Sequence, residues 1–408
     1  MKRMIRSACV MMAALAGVAA AAPHARADLL RIDDDSIPRV LLDSKLNASL
    51  VRLVSISQDS VTVRSDTGKP TTYPRGSVLA ILPVVEGVTH EVVQEATERD
   101  LAAPLGRLEL VTGELLPGQI STQPATGEKL AWESHVWGRL EVPLERAAFV
   151  LLQPQSPYAS RRPTGSADAA VLANGDTVEG FVAALGESLK LERDHAQSTL
   201  PVGRVVSVAF ANPPVPALGE WCWLHDGSAV AIANLEVSTN GEMRLAGVAK
   251  GNTAALRAGE LRAIVFDSGR LVPLSRLPLS VGDANPARVW TQPPVVGDWR
   301  EAPAFAADIT LPGPMTVRFA LPKGAVRVGG EAQLPANCRV WGDCELLVGR
   351  AGGTTTRIRL NSETPEANFS VDVSGLDGGE IEISIDPGPS GPVQDRVILR
   401  RAMVMLGK

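Results

Sequence analysis

Short apolar runs separated by turn residues dominate the chain. Val, Ile and Leu alternate with polar residues over a few positions at a time, and 37 glycines and 30 prolines interrupt these runs at even spacing. Such alternation is typical of β-strands with one buried face, and Gly and Pro mark the turns between them. The pattern therefore predicts an all-β protein. One segment, HEVVQEATERDL at 90–101, has helical spacing and no breaker, and it is predicted to be a linker helix.

A repeated arrangement of strands and turns divides most of the chain. Its clearest copy has a strand ending in an Asn-Gly turn at 171–176, a second strand through Gly180 where a small barrel must bend, and further strands to Phe210. Repetition at about 40 to 60 residues indicates tandem units, each burying its own small core and leaning on its neighbour. The predicted divisions are a signal peptide at 1–27, a first β unit with the linker helix at 28–103, small β-barrel units at 104–160, 167–213 and 218–275, and a β-sandwich at 294–408.

The small units loosely resemble tandem SH3-like or Sm-like barrels. Four tryptophans fall within them and are predicted to fill the barrel cores: Trp132, Trp137, Trp221 and Trp223. The last region, with about eight strands, one of them expected at 338–341, and no intervening helix, suits a jelly-roll sandwich.

The N-terminus has the order of a secretory signal peptide. Basic residues Lys2, Arg3 and Arg6 precede a short apolar run, and a small-x-small site ends at Ala27 before Asp28. Neither this run nor any later one reaches the roughly 20 apolar residues of a membrane span. The sequence predicts a secreted or periplasmic protein with no membrane span after signal cleavage; the alternative is an N-terminal anchor that is not cleaved.

Charge and composition limit the classes of partner that the chain can bind. The net charge of −5 and the absence of a Lys/Arg cluster argue against nucleic acid, because neutralising phosphates needs an excess of cations. A hydrophobic fraction of 45% suffices for real cores, whereas an aromatic fraction of 4% limits the number of stacking platforms for sugars.

Three cysteines remain after the signal peptide is removed. Cys338 and Cys344 flank RVWGD, whose Gly-Asp could turn the chain into a tight hairpin, so they are the candidates for a disulfide; the alternative is two thiols without a bond. Cys222, between two tryptophans, is interpreted as a small buried side chain.

The C-terminal region carries motifs of a known family. It resembles the novel carbohydrate-binding module (NPCBM) family, a galactose-binding-like jelly roll of secreted planctomycete-type bacterial proteins. The segments that carry the resemblance are VWGDCEL at 340–346, FSVDVSGL at 369–376, IEI at 381–383, DRV at 395–397 and AMV at 402–404, with the lead-in SGRLV at 268–272 and LS at 274–275. The resemblance implies sugar binding and no catalysis.

Several family positions differ here. The segment 302–311 lacks the family's loop with glycine and histidine, and Leu399 stands where the family has tryptophan. We expect Trp341 and Trp299 to contact a glycan, because a flat indole stacks on the apolar face of a sugar ring; core packing is the alternative for both. The candidates for the hydrogen bonds that orient the sugar are Arg339, Asp343 and Asp395.

Catalytic and metal signatures are weak. His90 starts an HEVVQ segment that approaches the zinc motif H-E-x-x-H, but Gln94 replaces the second histidine. Nucleophile-elbow, P-loop and dinucleotide motifs do not occur, so we expect a non-enzymatic protein without a cofactor. Calcium often accompanies jelly-roll modules by resemblance; Asp372 and Asp377 are the nearest acidic pair, and two solvated turn residues are the favoured interpretation.

Two functions remain open. One is a secreted glycan-binding protein that recognises a glycan or cell-envelope polysaccharide through its sandwich. The other is an extracytoplasmic scaffold that binds other proteins through its barrels. An exposed Trp341 in a groove favours the first, and a buried Trp341 with an apolar patch on the barrels favours the second.

Overall fold

The computed structural model describes residues 37–407 apart from 66–67, 85–105, 124, 126, 195, 216–217, 248–252, 283–291, 301, 351–352, 377 and 390. The described residues form 33 strands joined by turns and single-turn 3-10 helices, which confirms the all-β prediction. The predicted signal peptide and the predicted helix at 90–101 lie outside the described residues.

Four successive groups of strands precede the sandwich, and we call them units 1 to 4. Unit 1 contains β1 (Pro38–Asp43), β2 (Ala48–Ile56), β3 (Ser60–Arg64), β4 (Pro70–Pro74) and β5 (Val78–Pro83). Unit 2 contains β6 (Gly106–Leu110), β7 (Leu115–Ile120), β8 (Lys129–Ser134), β9 (Gly138–Pro143) and β10 (Ala147–Leu151). Unit 3 contains β11 (Ala169–Leu172), β12 (Thr177–Glu179), β13 (Phe181–Leu185), β14 (Ser188–Arg193), β15 (Ala196–Pro201) and β16 (Val205–Ala209). Unit 4 contains β17 (Glu220–Leu224), β18 (Ala229–Ile232), β19 (Asn234–Val237), β20 (Glu242–Ala246), β21 (Thr253–Arg257) and β22 (Leu261–Val265).

The four units share a 3-10 helix and a backbone hydrogen bond at the same position. In each, a 3-10 helix precedes the last strand, at Arg75–Ser77, Leu144–Arg146, Val202–Arg204 and Ala258–Glu260. Its last carbonyl accepts a hydrogen bond from the turn after the first strand. The N–H donors and carbonyl acceptors are Ser44 and Ser77 (3.1 Å), Val111 and Arg146 (2.9 Å), Ala173 and Arg204 (2.9 Å), and His225 and Glu260 (3.0 Å). In every unit the same hydrogen bond therefore joins the turn after the first strand to the 3-10 helix before the last strand. It satisfies a backbone donor that the turn would otherwise leave unpaired. The SH3-like or Sm-like label stays a prediction.

The units are not arranged in chain order. β5 pairs with β22, β18 pairs with β7, and β10 pairs with β16, so one 19-stranded sheet runs through unit 1, unit 4, unit 2 and unit 3. One hydrophobic cluster extends through all four units. The expectation that each unit buries a core of its own is therefore wrong: the strand pairing between units merges their interiors.

The tryptophans divide between two cores. Trp132 and Trp137 are buried in the cluster inside the units, as predicted. Trp221 and Trp223 are buried in a different cluster, between units 1 and 4 and the sandwich, which corrects their assignment to a barrel core. Successive strand residues face opposite sides, so Cys222 between them points into the unit interior instead.

Strands after unit 4 form the predicted β-sandwich, but it begins at Leu271 rather than at 294, because the strand Leu271–Pro273, which was assigned to the unit at 218–275, pairs with the strand Arg396–Leu406. They are β23 (Leu271–Pro273), β24 (Leu279–Val281), β25 (Val295–Val296), β26 (Ile309–Pro312), β27 (Met315–Ala320), β28 (Ala325–Gln333), β29 (Cys344–Arg350), β30 (Thr355–Leu360), β31 (Glu366–Asp372), β32 (Glu380–Pro387) and β33 (Arg396–Leu406); 3-10 helices lie at Leu274–Arg276, Pro303–Phe305 and Ala336–Cys338. One sheet has the order β25-β26-β33-β28-β31 with β23 on β33, and the other has the order β24-β27-β32-β29-β30. Their inner faces enclose a separate apolar core.

The sandwich packs against units 1 and 4 through an apolar joint, which we call the joint cluster. It includes Leu46 of unit 1, the two tryptophans of β17, and Phe305 and Met403 of the sandwich. At its edge the Ser370 hydroxyl donates a hydrogen bond to the Lys45 carbonyl (3.0 Å). The sandwich is thus held to the units by a continuous buried surface.

The contact between units 2 and 4 buries an acid. Glu114 is 3% exposed; it accepts a hydrogen bond from the Thr112 hydroxyl (2.7 Å) and one from the Ala231 N–H of β18, and Arg146 lies 4.0 Å away. Burial outweighs these partners and raises the pKa of Glu114 above its ordinary value of 4.5. Burial at this contact therefore disfavours the charged form of the Glu114 carboxylate.

We expect Glu114→Gln to flatten the dependence of stability on pH. Because the folded pKa exceeds the unfolded one, the folded chain holds more protons between the two values, so the free energy of unfolding falls as pH rises through that interval. The amide is neutral throughout. The variant should therefore gain stability relative to the native chain when urea unfolding is repeated at pH 7 rather than pH 4.5. The exposed Glu145→Gln is the control, and an identical pH profile for Glu114→Gln and the native chain would refute the assignment.

Candidate functional site

Three segments meet at one end of the sandwich, and we call this region the tip. The Gly313 N–H donates to the Asp395 carbonyl (2.6 Å), and the Gly388 N–H donates to the Asp343 carbonyl (2.7 Å). A Cβ atom at Gly342 would lie 3.2 Å from the Gln394 carbonyl oxygen. The segments 312–313, 334–344 and 388–396 therefore form one surface, although they are far apart in sequence.

Trp341 projects from the tip into solvent. Its exposed fraction is 68%, and the neighbouring Val340 is 71% exposed. The predicted strand at 338–341 is wrong: a 3-10 helix ends at Cys338 and a turn follows, so the indole is not held in the alternation of a sheet. Core packing, the alternative interpretation for Trp341, is thereby excluded.

A depression of about 280 Å³ lies between the same segments. Asn337 and Cys338 line it from the 3-10 helix, and Gln394, Asp395 and Arg396 line it from the segment before β33. The side-chain amides of Asn337 and Gln394 can donate and accept hydrogen bonds, and the Arg396 guanidinium can donate them. Val393, 50% exposed, extends the apolar part of this surface.

Two of the predicted polar residues are engaged with the protein. Both Asp343 carboxylate oxygens accept hydrogen bonds from Arg359, each at 3.0 Å. The Arg339 Nε donates to the Leu334 carbonyl (3.2 Å). These contacts hold the turn that carries Trp341, so the structure places Asp343 and Arg339 at the tip chiefly as supports for that turn.

Asp395 is at the tip but largely withdrawn from solvent. It is 3% exposed, and its backbone carbonyl accepts the hydrogen bond from Gly313. A Cβ atom at Gly313 would lie 2.6 Å from this carbonyl oxygen and 2.4 Å from Ile385 Cγ2, so the close approach requires glycine. The depression is therefore closed below by tightly packed backbone.

The structure corrects the predicted disulfide. Cys338 and Cys344 are both buried free thiols. The expected hairpin does not form, because Cys338 ends a 3-10 helix whereas Cys344 begins β29, where it pairs with Leu360 and Pro387. Burial, followed by the charges of Asp395 and Asp343, raises the pKa of Cys344 to about 12. This thiol is therefore protonated and unreactive at neutral pH.

Trp299 lies away from the tip. The guanidinium carbons of Arg276 and Arg300 lie over its ring, 4.5 and 4.9 Å from the centroid, and Phe305 makes an edge contact at 5.9 Å. The ring is thus engaged in cation–π contacts next to the joint cluster. The structure does not bring Trp299 together with the other four predicted site residues.

The calcium candidates do not form a site among the described residues. Asp372 accepts hydrogen bonds from the Ser374 hydroxyl (2.5 Å) and the Ser374 N–H (2.9 Å) and pairs with Arg327 at 3.4 Å, and these contacts, the hydroxyl first, lower its pKa. Asp377 lies outside the described residues. Within residues 37–407, gaps excepted, no three His, Cys, Asp or Glu side chains are grouped so as to hold a metal ion.

Sequence reasoning missed three polar residues that line the depression: Asn337, Gln394 and Arg396. Asn337 adjoins Cys338, and Gln394 and Arg396 flank Asp395, so proximity to the chosen candidates was the available signal.

In the described part of the chain, no helix has the length and apolarity to cross a membrane.

No family model matches the chain, and no curated protein matches it. Among solved structures, it is similar to CBM51-2 in complex with GlcNAc and INT domains from Clostridium perfringens ZmpB, at 11% identity over 43% of this chain and 38% of that one, with a TM-score of 0.26. It is also similar to CBM51 from Clostridium perfringens GH95 in complex with methyl-galactose, at 10% identity over 33% of this chain and 99% of that one, with a TM-score of 0.26.

A third similar structure is TmCBM61 in complex with beta-1,4-galactotriose. The identity is 16% over 33% of this chain and 91% of that one, and the TM-score is 0.18. The chain spans 38% of the length of the first of these structures. These likenesses are weak and carry no functional argument for the chain.

Proposed function

We propose that the chain is a non-catalytic, extracytoplasmic glycan-binding protein whose sandwich, of the carbohydrate-binding-module type, recognises saccharide at the tip. The observation that carries the proposal is the exposed Trp341 on the same tip as a depression lined in part by polar side chains. An indole offers a flat apolar face to a sugar ring, and amide and guanidinium groups orient its hydroxyls. Small-molecule pockets have volumes of about 300–1,000 Å³, so a depression of about 280 Å³ suits one ring of a longer chain.

The carboxylates of the tip support a binding role rather than hydrolysis. Glycoside hydrolysis needs two carboxyl groups about 5 to 10 Å apart that can reach the substrate. Asp343 is tied to Arg359, and Asp395 is 3% exposed. Neither is free to act as an acid or a nucleophile on a bound sugar.

The exposure of Trp341 also favours this proposal over the scaffold alternative. The apolar faces of units 1 and 4 that meet the sandwich are already covered by the joint cluster. The units then serve as a base that carries the sandwich.

We expect Trp341→Ala to weaken saccharide binding by about 30-fold or more, the loss typical of a central aromatic anchor. A glycan array followed by calorimetry on the full chain would measure it. Phe181→Ala, which removes another exposed ring (61%) from unit 3, is the matched control and should bind normally. Equal affinity of Trp341→Ala and the native chain would overturn the placement of the site, and a folded native chain that binds no glycan would overturn the function.

A further inference from the structure

The arginines of the tip differ from the others on the sandwich strands. Most of the latter are ion-paired to acids: Arg318 with Glu382, Arg327 with Asp372, Arg357 with Glu345, Arg359 with Asp343, Arg400 with Asp308 and Arg401 with Glu331. Arg396, which lines the depression, and Arg339, two residues before Trp341, form no ion pair with a described residue. The tip thus presents positive charge that the protein does not neutralise.

We propose that the saccharide bound at the tip is anionic, carrying a carboxylate or a sulfate; this rests on the proposed function. A guanidinium presents several N–H donors in a planar fork that matches carboxylate and sulfate oxygens. The Arg396 group lines the depression itself, where such an oxygen could approach.

The position of Arg396 is well defined. It is the first residue of β33, it pairs with Pro312, and its backbone N–H donates to the Gln394 carbonyl (2.7 Å). Its Nη2 donates only to the neutral side-chain oxygen of Gln292 (3.3 Å) among described groups. The fork is therefore placed on the sheet while its charge stays available to a ligand.

The acids of the tip do not cancel this charge for a ligand. The Asp343 carboxylate is neutralised by the bidentate contact with Arg359. The Asp395 side chain is buried beneath the surface, whereas Arg396 is half-buried and Trp341 is open.

Calorimetry with the full chain tests the proposal. The probes are a trisaccharide of galacturonic acid, the neutral galactotriose, and galactotriose sulfated at O6. At 50 mM salt we expect at least one anionic probe to bind about 10-fold or more tightly than the neutral one, and raising the salt to 500 mM should shrink this preference because exposed charges are screened. The anionic probe with the larger gain in affinity over the neutral probe shows whether the site prefers a carboxylate or a sulfate.

Variants separate the charge from the stacking platform. Arg396→Gln should remove most of the preference for the anionic probe. Because glutamine keeps a neutral hydrogen-bond donor at the depression, the affinity for the neutral probe should fall by less than the affinity for the anionic probe. Arg350→Gln, at the far end of β29 from the tip, is the matched control and should keep the preference. Neutral binding equal to anionic binding would overturn this inference alone, whereas no binding of any probe by the folded chain would overturn the proposed function with it.

Discussion

Trp132→Ala is expected to lower the free energy of unfolding by about 3–5 kcal/mol. The Trp132 side chain is fully buried in the cluster shared by the four units, and its indole N–H donates to the Leu116 carbonyl (3.2 Å). Truncation leaves a large cavity and also removes the partner of a buried carbonyl. Because the cluster is continuous, the loss should destabilise all four units together.

Trp341→Ala is the matched control, because it makes the same chemical change at a side chain that is 68% exposed. It should alter the free energy of unfolding by no more than about 0.5 kcal/mol. Urea unfolding followed by far-UV circular dichroism measures both variants. Similar losses for the two would contradict the assignment of Trp132 to the shared core.

The strands and turns of single units follow from local pattern. The Asn-Gly turn predicted after the strand near Val171 is present: β11 ends at Leu172, and Gly175 has φ +88°, a conformation that glycine adopts without strain. Period-two alternation and turn chemistry act over a few residues, so the sequence shows them directly.

Contacts between distant elements could not be obtained in this way. Alternation in β17 shows that Trp221 and Cys222 face opposite sides, but it does not show which side is the unit interior. That depends on what covers the outer face, and here the cover is Phe305 of a 3-10 helix about eighty residues later. The order of the units was hidden for the same reason, because pairing such as that of Ile81 with Ile264 depends on exposed strand edges meeting.

The tip was predicted in part. Arg339, Trp341 and Asp343 were chosen from one segment and Asp395 from another about fifty residues later, and the structure brings the four together. The depression near them also needs Gly313, which follows β26, and Arg396, which begins β33, and no local spacing in the sequence reveals that these two residues meet. The exposure of Trp341 could likewise not be predicted from the sequence, because a 3-10 helix and a turn replace the expected strand.

Phe305→Ala is expected to lower the free energy of unfolding by about 3 kcal/mol. The ring contacts three tryptophans, with centroid distances of 5.0 Å to Trp221, 5.1 Å to Trp223 and 5.9 Å to Trp299. Each edge contact contributes beyond the burial of area, and the partly buried ring packs against the joint cluster. Its removal weakens the attachment of the sandwich to unit 4 while leaving the separate core of the sandwich intact.

The position of Phe305 between the sandwich and unit 4 predicts more than a loss of stability. If the joint cluster couples the sandwich to the units, the native chain unfolds in urea with one transition, whereas Phe305→Ala should give different midpoints by tryptophan fluorescence and by far-UV circular dichroism. Phe181→Ala, which removes a ring that is 61% exposed, should keep a single transition near the native midpoint. Coincident transitions with the full loss of stability would mean that Phe305 stabilises the chain without coupling its two cores. Saccharide binding by Phe305→Ala should be unchanged below the first transition, because the tip is built from the sandwich alone.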